Sequence, residues 1–286
     1  MKYAGYIQAT KDDFCLFEVC KRLFDEGLND FFFSVPDEYW NGRITPSEDI
    51  FQVDAVAKQL NVLGANAKVK VFGVKKHRKT GLRLIDVETR VRNESVMWVR
   101  ESGFDHIVVI DGDELWKTNY FLNMKKYIEN TKPSSVALGM IPTIGLPGYP
   151  IDGAKDMATA YIGPGVEFIE CRKPSGPRPA ELVDIRGIIH FTATRRTMQE
   201  IIDKHRTSGH YGDPSYDFEG WIVNTLPNAK PGLINAHMYR PYQIWKLVRE
   251  WTHEELDQIP LSIHPYLGIP KNYVRNTHCA RRYPIS

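Results

Sequence analysis

The feature that most constrains the fold is a short apolar run followed directly by acids. Residues 107–110 are Ile-Val-Val-Ile, and Asp111-Gly112-Asp113-Glu114 come next. Four consecutive β-favouring residues predict a strand buried on both faces, as in a mostly parallel sheet. Because open α/β sheets bind ligands beyond the carboxyl ends of their strands, we expect the three carboxylates to lie at a ligand site. Gly112 leaves room for a phosphate or a ribose to approach the backbone.

Clustered carboxylates repel one another, and a bound cation relieves that repulsion. Mg²⁺ and Mn²⁺ prefer oxygen ligands and share them with substrate phosphates. The stretch therefore predicts a divalent metal site at Asp111 and Asp113. Solvated turn residues are the alternative explanation. A calcium loop of the EF-hand type is excluded because the ligand spacing beyond Glu114 is wrong.

Strands and helices alternate through the first half of the chain. Predicted strands cover residues 3–9, 30–35, 68–74, 107–110 and 134–141, and predicted helices cover residues 14–24, 47–63, 85–102 and 118–130. This alternation predicts an α/β fold with a mostly parallel, Rossmann-like sheet and helices on both faces. Residues 142–180 are rich in Gly and Pro, which favours a surface excursion or a lid, with an isolated strand at residues 166–171.

A second group of acids lies in the later part of the chain. A strand at residues 184–192 and a helix capped by Thr194 precede it, and a short helix is predicted to begin near Asp217. Acids at a helix start satisfy its dipole, so capping is the alternative to a catalytic role. A late strand at residues 232–239 carries His237, which is either a metal ligand or a structural histidine.

Composition limits the class of protein. The chain has 286 residues, of which 42% are apolar and 25% charged, with a net charge of +2. These values are typical of a soluble globular protein and neither require nor exclude a nucleic-acid partner. No stretch has the length of a membrane span, and no signal-peptide pattern opens the chain. The four cysteines show no CxxC spacing, so we expect a reduced, cytoplasmic protein.

With these features in order, the chain resembles a glycosyltransferase of the GT-A fold, closest in pattern to the large family 2 type. The stretch RNESVMWVRESGFDHIVVIDGDE is similar to that family's run of an RN pair, a helix, a glycine, an apolar strand and a DxD motif. Arg92 and Asn93 match the pair, Gly103 the glycine, and Asp111 and Asp113 the metal-site aspartates.

Three later features carry the same resemblance, which covers roughly residues 1–240. RGIIHFTATRRTMQEI resembles the family's later strand and helix, and SYDFEGW resembles the acidic motif that supplies the general base in inverting members. His237 falls where many such folds have a late metal-ligating histidine. The family motif has two adjacent acids, whereas Phe218 separates Asp217 from Glu219 here.

The resemblance implies a domain organisation and a reaction. A GT-A domain would span residues 1–240, with a nucleotide-sugar-binding half at 1–141 and an acceptor half at 142–240, followed by a helical extension at 241–286. The enzyme would move a sugar from a nucleotide-diphosphate sugar, with a UDP-sugar as the expected donor. Its acceptor would be a hydroxyl of a glycan, a protein or a hydroxylated DNA base. Mn²⁺ or Mg²⁺ would be the cofactor, and configuration could be inverted or retained.

Each role has named candidates. The metal ligands are Asp111, Asp113 and His237. The candidates for the general base are, in order, Asp217, Glu219 and Asp213. The donor contacts are Ala9, Thr10, Asp37, Arg92, Asp111 and Gly112. The basic loop at residues 75–79 is a further candidate for the diphosphate, and Tyr216 and Trp221 are candidates for stacking on a sugar.

Two other functions remain open from the sequence. A nucleotidyltransferase can share this fold, but it usually has a glycine-rich loop after the first strand, and QATKDDF lacks glycine there. A non-catalytic nucleic-acid-binding module would use the basic stretches KVFGVKKHRK and RRTMQEIIDKHR. A solvated helix face explains the second stretch equally well.

Overall fold

The computed structural model describes residues 1–9, 14–78, 81–152, 157–177, 179–181, 187–237 and 247–269. The helices are α1 (Leu16–Asp25), α2 (Ser47–Val62), α3 (Leu84–Glu101), α4 (Tyr120–Thr131), α5 (Met198–Thr207), α6 (Phe218–Asn224) and α7 (His253–Asp257), with 3₁₀ turns at Lys75–His77, Leu226–Asn228 and His264–Leu267. The strands are β1 (Tyr3–Gln8), β2 (Asp30–Pro36), β3 (Asn66–Phe72), β4 (His106–Asp111), β5 (Glu114–Trp116), β6 (Ser135–Ile144), β7 (Tyr149–Asp152), β8 (Met157–Ile162), β9 (Phe168–Glu170), β10 (Lys173–Pro174), β11 (Ala180–Glu181), β12 (Ile188–Ala193) and β13 (Leu247–Val248).

The central sheet has the order β13-β7-β6-β8-β4-β1-β2-β3. Strands β4, β1, β2 and β3 run parallel, and β8 lies antiparallel between β4 and β6. Strands β11 and β12 pair parallel with β6, and β5 pairs antiparallel with β12. The predicted fold class, an α/β protein with a mostly parallel central sheet, is confirmed.

Helices cover both faces of this sheet. Helices α1, α2 and α4 pack on the face that carries Ile7, Phe33 and Ile110. Helix α3 packs on the opposite face, which carries Tyr6 and Val109. Successive residues of a strand point to opposite faces, so a strand buried on both faces needs an unbroken apolar run. That requirement explains why residues 107–110 show no polar alternation.

The region after residue 142 departs from its prediction. Residues 157–162 form β8, a central strand, where a surface excursion or lid was expected. The composition of residues 142–180 gave the wrong prediction because glycine and proline flank this strand on both sides. The six residues of the strand itself are apolar or Thr. The isolated strand expected nearby exists as β9, and it pairs with β10.

Smaller differences concern element ends. Thr194 does not cap α5, because the helix begins at Met198 and the hydroxyl of Thr197 accepts from the Glu200 amide. The predicted late strand is reduced, within the described part of 232–239, to an isolated bridge at Ile234. A capping box formed by Thr252 and Glu255 begins α7.

Some predictions concern other segments. The helical extension expected after residue 240 is not helical over residues 247–251, which contain β13 instead. The remaining parts of that extension, residues 241–246 and 270–286, lie outside the described residues. Among the described residues, none of the helices is long and apolar enough to cross a membrane.

Candidate functional site

The acidic stretch connects β4 to β5 and lies at the carboxyl ends of β1 and β4. Strand β4 ends at Asp111, which is in register with Gln8 at the end of β1. After Gly112 and Asp113, the chain enters β5 at Glu114, which lies opposite His190 of β12. The Phe191 amide donates to the Asp113 carbonyl at 2.9 Å. The sheet therefore brings β12, which is distant in sequence, directly against the acids.

A cavity of about 550 Å³ opens at this edge of the sheet. This volume is in the range of small-molecule sites. Its charged lining residues are Arg43, Asp49, Glu88, Arg92, Asp111, Asp113, Arg195, Asp203 and Lys204. Gln8, Gly112 and the side chains of His190, His205, His210, Tyr216 and His237 also line it.

Asp111 is held by two arginines. Arg92 contacts Asp111 Oδ1 at 3.2 Å and also pairs with Glu88 of its own helix at 3.0 Å. Arg172 contacts Asp111 Oδ2 at 3.1 Å and forms an ion pair with Glu114. Arg172 also donates to the carbonyls of Val109 and Thr159, which ties the turn at residues 171–172 to the sheet. The Asp111 carboxylate thus has an arginine on each oxygen.

Asp113 is held by a second set of cations. Arg195 Nη2 donates to Asp113 Oδ2 at 2.9 Å, and Lys204 Nζ contacts the same oxygen. His190 Nε2 lies 3.5 Å from that oxygen. The Asp113 residue is 4% exposed and Arg195 is 1% exposed, whereas the Lys204 side chain is 27% exposed. Lys204 is therefore the partner of Asp113 that a ligand reaches most easily.

These contacts set the ionisation of the site. Burial by itself would raise the pKa of Asp113, but Lys204 and His190 outweigh it and hold that pKa well below the usual value. Burial would lower the pKa of His190, yet Asp113 raises it overall. Burial raises the pKa of Glu114 in spite of its arginine partner. Asp113 is accordingly an anion that its neighbours neutralise.

Several buried polar atoms on the cavity wall have no hydrogen-bond partner in the described part of the chain. They are Gln8 Nε2, His190 Nδ1, His205 Nε2 and Ser208 Oγ. Burial and the nearby cations Lys204 and Arg195 lower the pKa of His205 strongly, so its imidazole is neutral. Because buried polar groups are almost always paired in native proteins, these four atoms mark an incompletely satisfied part of the cavity wall.

The described side chains do not by themselves complete the predicted metal site. His237 lines the same cavity as Asp111 and Asp113. Across the described ranges, however, no three or more His, Cys, Asp or Glu side chains are grouped so that they could hold a metal ion. Asp111 and Asp113 direct carboxylate oxygens at protein cations instead. The metal assignment of Asp111, Asp113 and His237 stays a prediction.

The three candidates for the general base lie beside the cavity. The Asp217 carboxylate caps α6 by accepting from the Gly220 amide at 3.0 Å. Glu219 is exposed and pairs with Arg206 at 2.8 Å, and Asp213 accepts from the Ser215 amide at 2.8 Å. None of the three is among the lining residues, although both neighbours of Asp217 are. The structure thus gives each acid a local partner.

The predicted donor contacts divide into two groups. Arg92, Asp111 and Gly112 line the cavity. Ala9 is buried and donates to the Ser34 carbonyl, and Asp37 accepts from the Val74 amide at 2.7 Å, so these two are absent from the lining. Thr10 lies outside the described residues.

The basic loop is also engaged elsewhere. Lys76 and His77 pair with Glu94, and Arg78 pairs with Glu38. Lys79 is outside the described residues. These pairs leave the described part of the loop away from the cavity, and they weaken its use as a continuous basic surface for nucleic acid.

The two aromatic candidates have different environments. The Tyr216 ring lies on the cavity wall, stacked on His210 at 5.0 Å between ring centroids. Trp221 is buried and donates to the Ala236 carbonyl at 2.7 Å, so it packs in the core beneath the site. Tyr216 therefore borders the cavity, with its ring stacked on His210 and Phe218, whereas Trp221 does not line it.

Sequence reasoning missed Gln8, Arg172, His190, Asp203 and Lys204. Gln8 ends a parallel strand, where ligand contacts are expected, so its position was a usable signal. His190 interrupts an otherwise apolar strand, which was a second signal. Arg172 lies in an irregular turn, and Asp203 and Lys204 are ordinary polar residues of an amphipathic helix. Only the folded chain brings these last three to the acids.

No protein-family model matches the sequence, and no curated protein matches it. Solved structures with a similar fold include S. aureus TarS 1–349 in complex with UDP-GlcNAc, at 11% identity and a TM-score of 0.41, covering 80% of this chain and 72% of that one. S. aureus TarS 1–349 alone has 12% identity and a TM-score of 0.40, with 78% and 69% covered. A further S. aureus TarS structure also has 12% identity and a TM-score of 0.40. The match covers 80% of this chain and 43% of that one. Similarity this low carries no argument about function, which rests on the site itself.

Proposed function

We propose that the chain is a glycosyltransferase that moves a sugar from a nucleotide-diphosphate sugar to an acceptor hydroxyl. One observation carries the proposal: a single cavity is lined by Asp111 with its partner Arg92 and by Asp113 with its partners Arg195 and Lys204. Carboxylates accept hydrogen bonds from sugar and ribose hydroxyls, and cations bind phosphates. A nucleotide-diphosphate sugar has both kinds of group.

The donor would lie across the carboxyl ends of β1 and β4. Asp111, fixed by two arginines, is positioned to accept from hydroxyls, and Gly112 leaves the backbone open to close approach. Gln8, which ends β1 at the same edge, also lines the cavity. The diphosphate would face the cations that surround Asp113.

In an inverting transfer, the acceptor oxygen bonds to the anomeric carbon while the bond from that carbon to the diphosphate oxygen breaks. The electron pair stays on the leaving diphosphate, which needs positive charge beside it. Lys204 and Arg195 offer this charge, and a divalent ion at Asp111 and Asp113 is the alternative that the sequence resemblance implies. The acceptor proton passes to a carboxylate, a step worth roughly 10²–10⁴-fold in rate.

The general base is proposed in the order Asp217, Glu219, Asp213. Asp217 comes first because both of its chain neighbours, Tyr216 and Phe218, line the cavity. The capping contact to Gly220 would be exchanged for a contact to the acceptor hydroxyl. The acceptor itself is proposed only as a glycan, a protein or a hydroxylated DNA base.

Calorimetric titration with UDP and with GDP tests this function, once with Mn²⁺ and once with EDTA. Binding of one nucleotide in either condition supports a donor site and identifies the donors to screen for transfer. If a divalent ion links Asp113 to the diphosphate, the Asp113→Asn variant should lose the binding seen with Mn²⁺. If neither nucleotide binds in either condition, the glycosyltransferase proposal is wrong.

A further inference from the structure

We infer that Lys204, with Arg195 beside it, binds the donor diphosphate in place of a divalent ion, so that donor binding does not require metal. This inference rests on the proposed function. It starts from the disagreement between the predicted metal site and the side chains that actually surround Asp113.

The predicted metal ligands already contact protein cations. Asp113 Oδ2 accepts from Arg195 at 2.9 Å and is also contacted by Lys204. Asp111 receives an arginine on each oxygen. A divalent ion at these carboxylates would stand beside several permanent positive charges and would have to displace at least one of them. The positions that a metal would take are held by protein cations.

Lys204 is more accessible to a ligand than Arg195 is. Arg195 is 1% exposed, and its Nη1 donates to the carbonyls of Phe191 and Thr194, so it is fixed in place. Lys204 is partly exposed and lines the cavity. Its ammonium contacts Asp113 and the Thr192 carbonyl, and a lysine has three donors. One N–H of Lys204 therefore remains for a phosphate oxygen, judged on the contacts of the described residues.

The cavity wall beside Lys204 contains further polar side chains. His205 and Ser208 follow Lys204 closely in sequence, and each has a buried polar side-chain atom with no partner in the described ranges. Both line the cavity. A neutral imidazole and a hydroxyl donate to phosphate oxygens without adding charge. These two uncharged side chains therefore do not repel an anion bound at Lys204.

The test is calorimetric titration of the whole chain with UDP, and with GDP if UDP does not bind, in excess EDTA and then in Mn²⁺. We expect the Kd in the two conditions to agree within about twofold. Lys204→Met removes the ammonium but keeps the length of the side chain. It should weaken binding in EDTA by about tenfold or more, the usual effect of losing a charged hydrogen bond.

Lys58→Met is the matched control, because Lys58 is 74% exposed on α2 and is not among the residues that line the cavity. This control should bind like the wild type. If Lys204→Met does not unfold cooperatively, Lys204→Gln replaces it, since glutamine retains a donor to Thr192 without the charge.

Each contrary result has a distinct meaning. Binding that is lost in EDTA and restored by Mn²⁺ overturns this inference and leaves the glycosyltransferase proposal standing. Unchanged binding by a folded Lys204 variant rejects the role of Lys204. The absence of nucleotide binding in every condition rejects the proposed function and this inference with it.

Discussion

The two acidic stretches of this chain each contain three acids, but their environments differ. Residues 111–114 lie at the end of a central strand, where Asp113 is 4% exposed and Glu114 fully buried. Residues 213–219 lie at the start of a short helix, where Glu219 is exposed and its neighbours cap the backbone. Three acids within a few residues thus form a buried charge cluster in one place and a set of local turn contacts in the other.

The difference shows that the surroundings of an acid decide its role more than the acid itself. The three acids of the first stretch and Glu88 of α3 face four permanent cations. These residues are Glu88, Asp111, Asp113 and Glu114, with Arg92, Arg172, Arg195 and Lys204. Charges that are buried and paired in this way depend on one another, because removing one leaves its partner uncompensated.

The largest effect is expected at Asp113. Asp113→Asn keeps the shape of the side chain but leaves Arg195 and Lys204 without their shared anion. We expect a loss of about 3 kcal/mol in unfolding free energy, as for a broken buried ion pair. Urea unfolding followed by circular dichroism measures it. A loss no larger than that of Asp213→Asn would show that burial does not separate the two stretches.

The pH dependence of that loss is a second test. Because the pKa of Asp113 is held well below its usual value, its contribution is present above the unfolded pKa of about 4 and disappears as the pH falls toward the folded pKa. The stability difference between wild type and Asp113→Asn should therefore shrink below about pH 4. Urea midpoints across an acid series measure this, and a constant difference would contradict it.

Arg172 should have an intermediate effect. Arg172→Met removes the partner of Glu114 and one partner of Asp111. Burial already raises the pKa of Glu114, so this acid can take up a proton and limit the loss to about 2 kcal/mol. Because Arg172 is not among the cavity-lining residues, nucleotide binding should fall much less than in Asp113→Asn. Equal losses of binding would place Arg172 in the donor site.

Two variants of Asp217 distinguish a capping role from a catalytic role for this side chain. Asp217→Ala should cost about 1 kcal/mol of stability because the cap on α6 is lost, whereas Asp217→Asn keeps a good capping residue. If Asp217 is the general base, Asp217→Asn should lose roughly 10²–10⁴-fold in transfer rate while its thermal midpoint stays near that of the wild type. Full activity of Asp217→Asn would move the base assignment to another acid, with cavity-lining Asp203 the next to test.

The smallest effect is expected at Glu219. Its ion pair with Arg206 is exposed on both sides, and such pairs contribute little. Glu219→Gln should leave the thermal midpoint unchanged by differential scanning calorimetry. A clear decrease would mean that the second stretch is more tightly integrated than its exposure indicates.

Much of the fold was predictable from local pattern. The unbroken apolar run at residues 107–110 identified β4, because a strand buried on both faces needs one. The alternation with helical segments predicted the layers. Strand β8 was missed because glycine- and proline-rich flanks resemble a loop, while its burial comes entirely from pairing with β4 and β6.

The site divides in the same way. The sequence by itself determined that Asp111 and Asp113 stand at the carboxyl end of a buried strand, since the strand and its ending are local properties. It did not determine what neutralises them. Lys204 and Arg172 reach the acids only because α5 and the turn at residues 171–172 pack against that edge of the sheet. Which charges meet in a buried site depends on contacts between residues far apart in the chain, and tertiary structure alone decides those contacts.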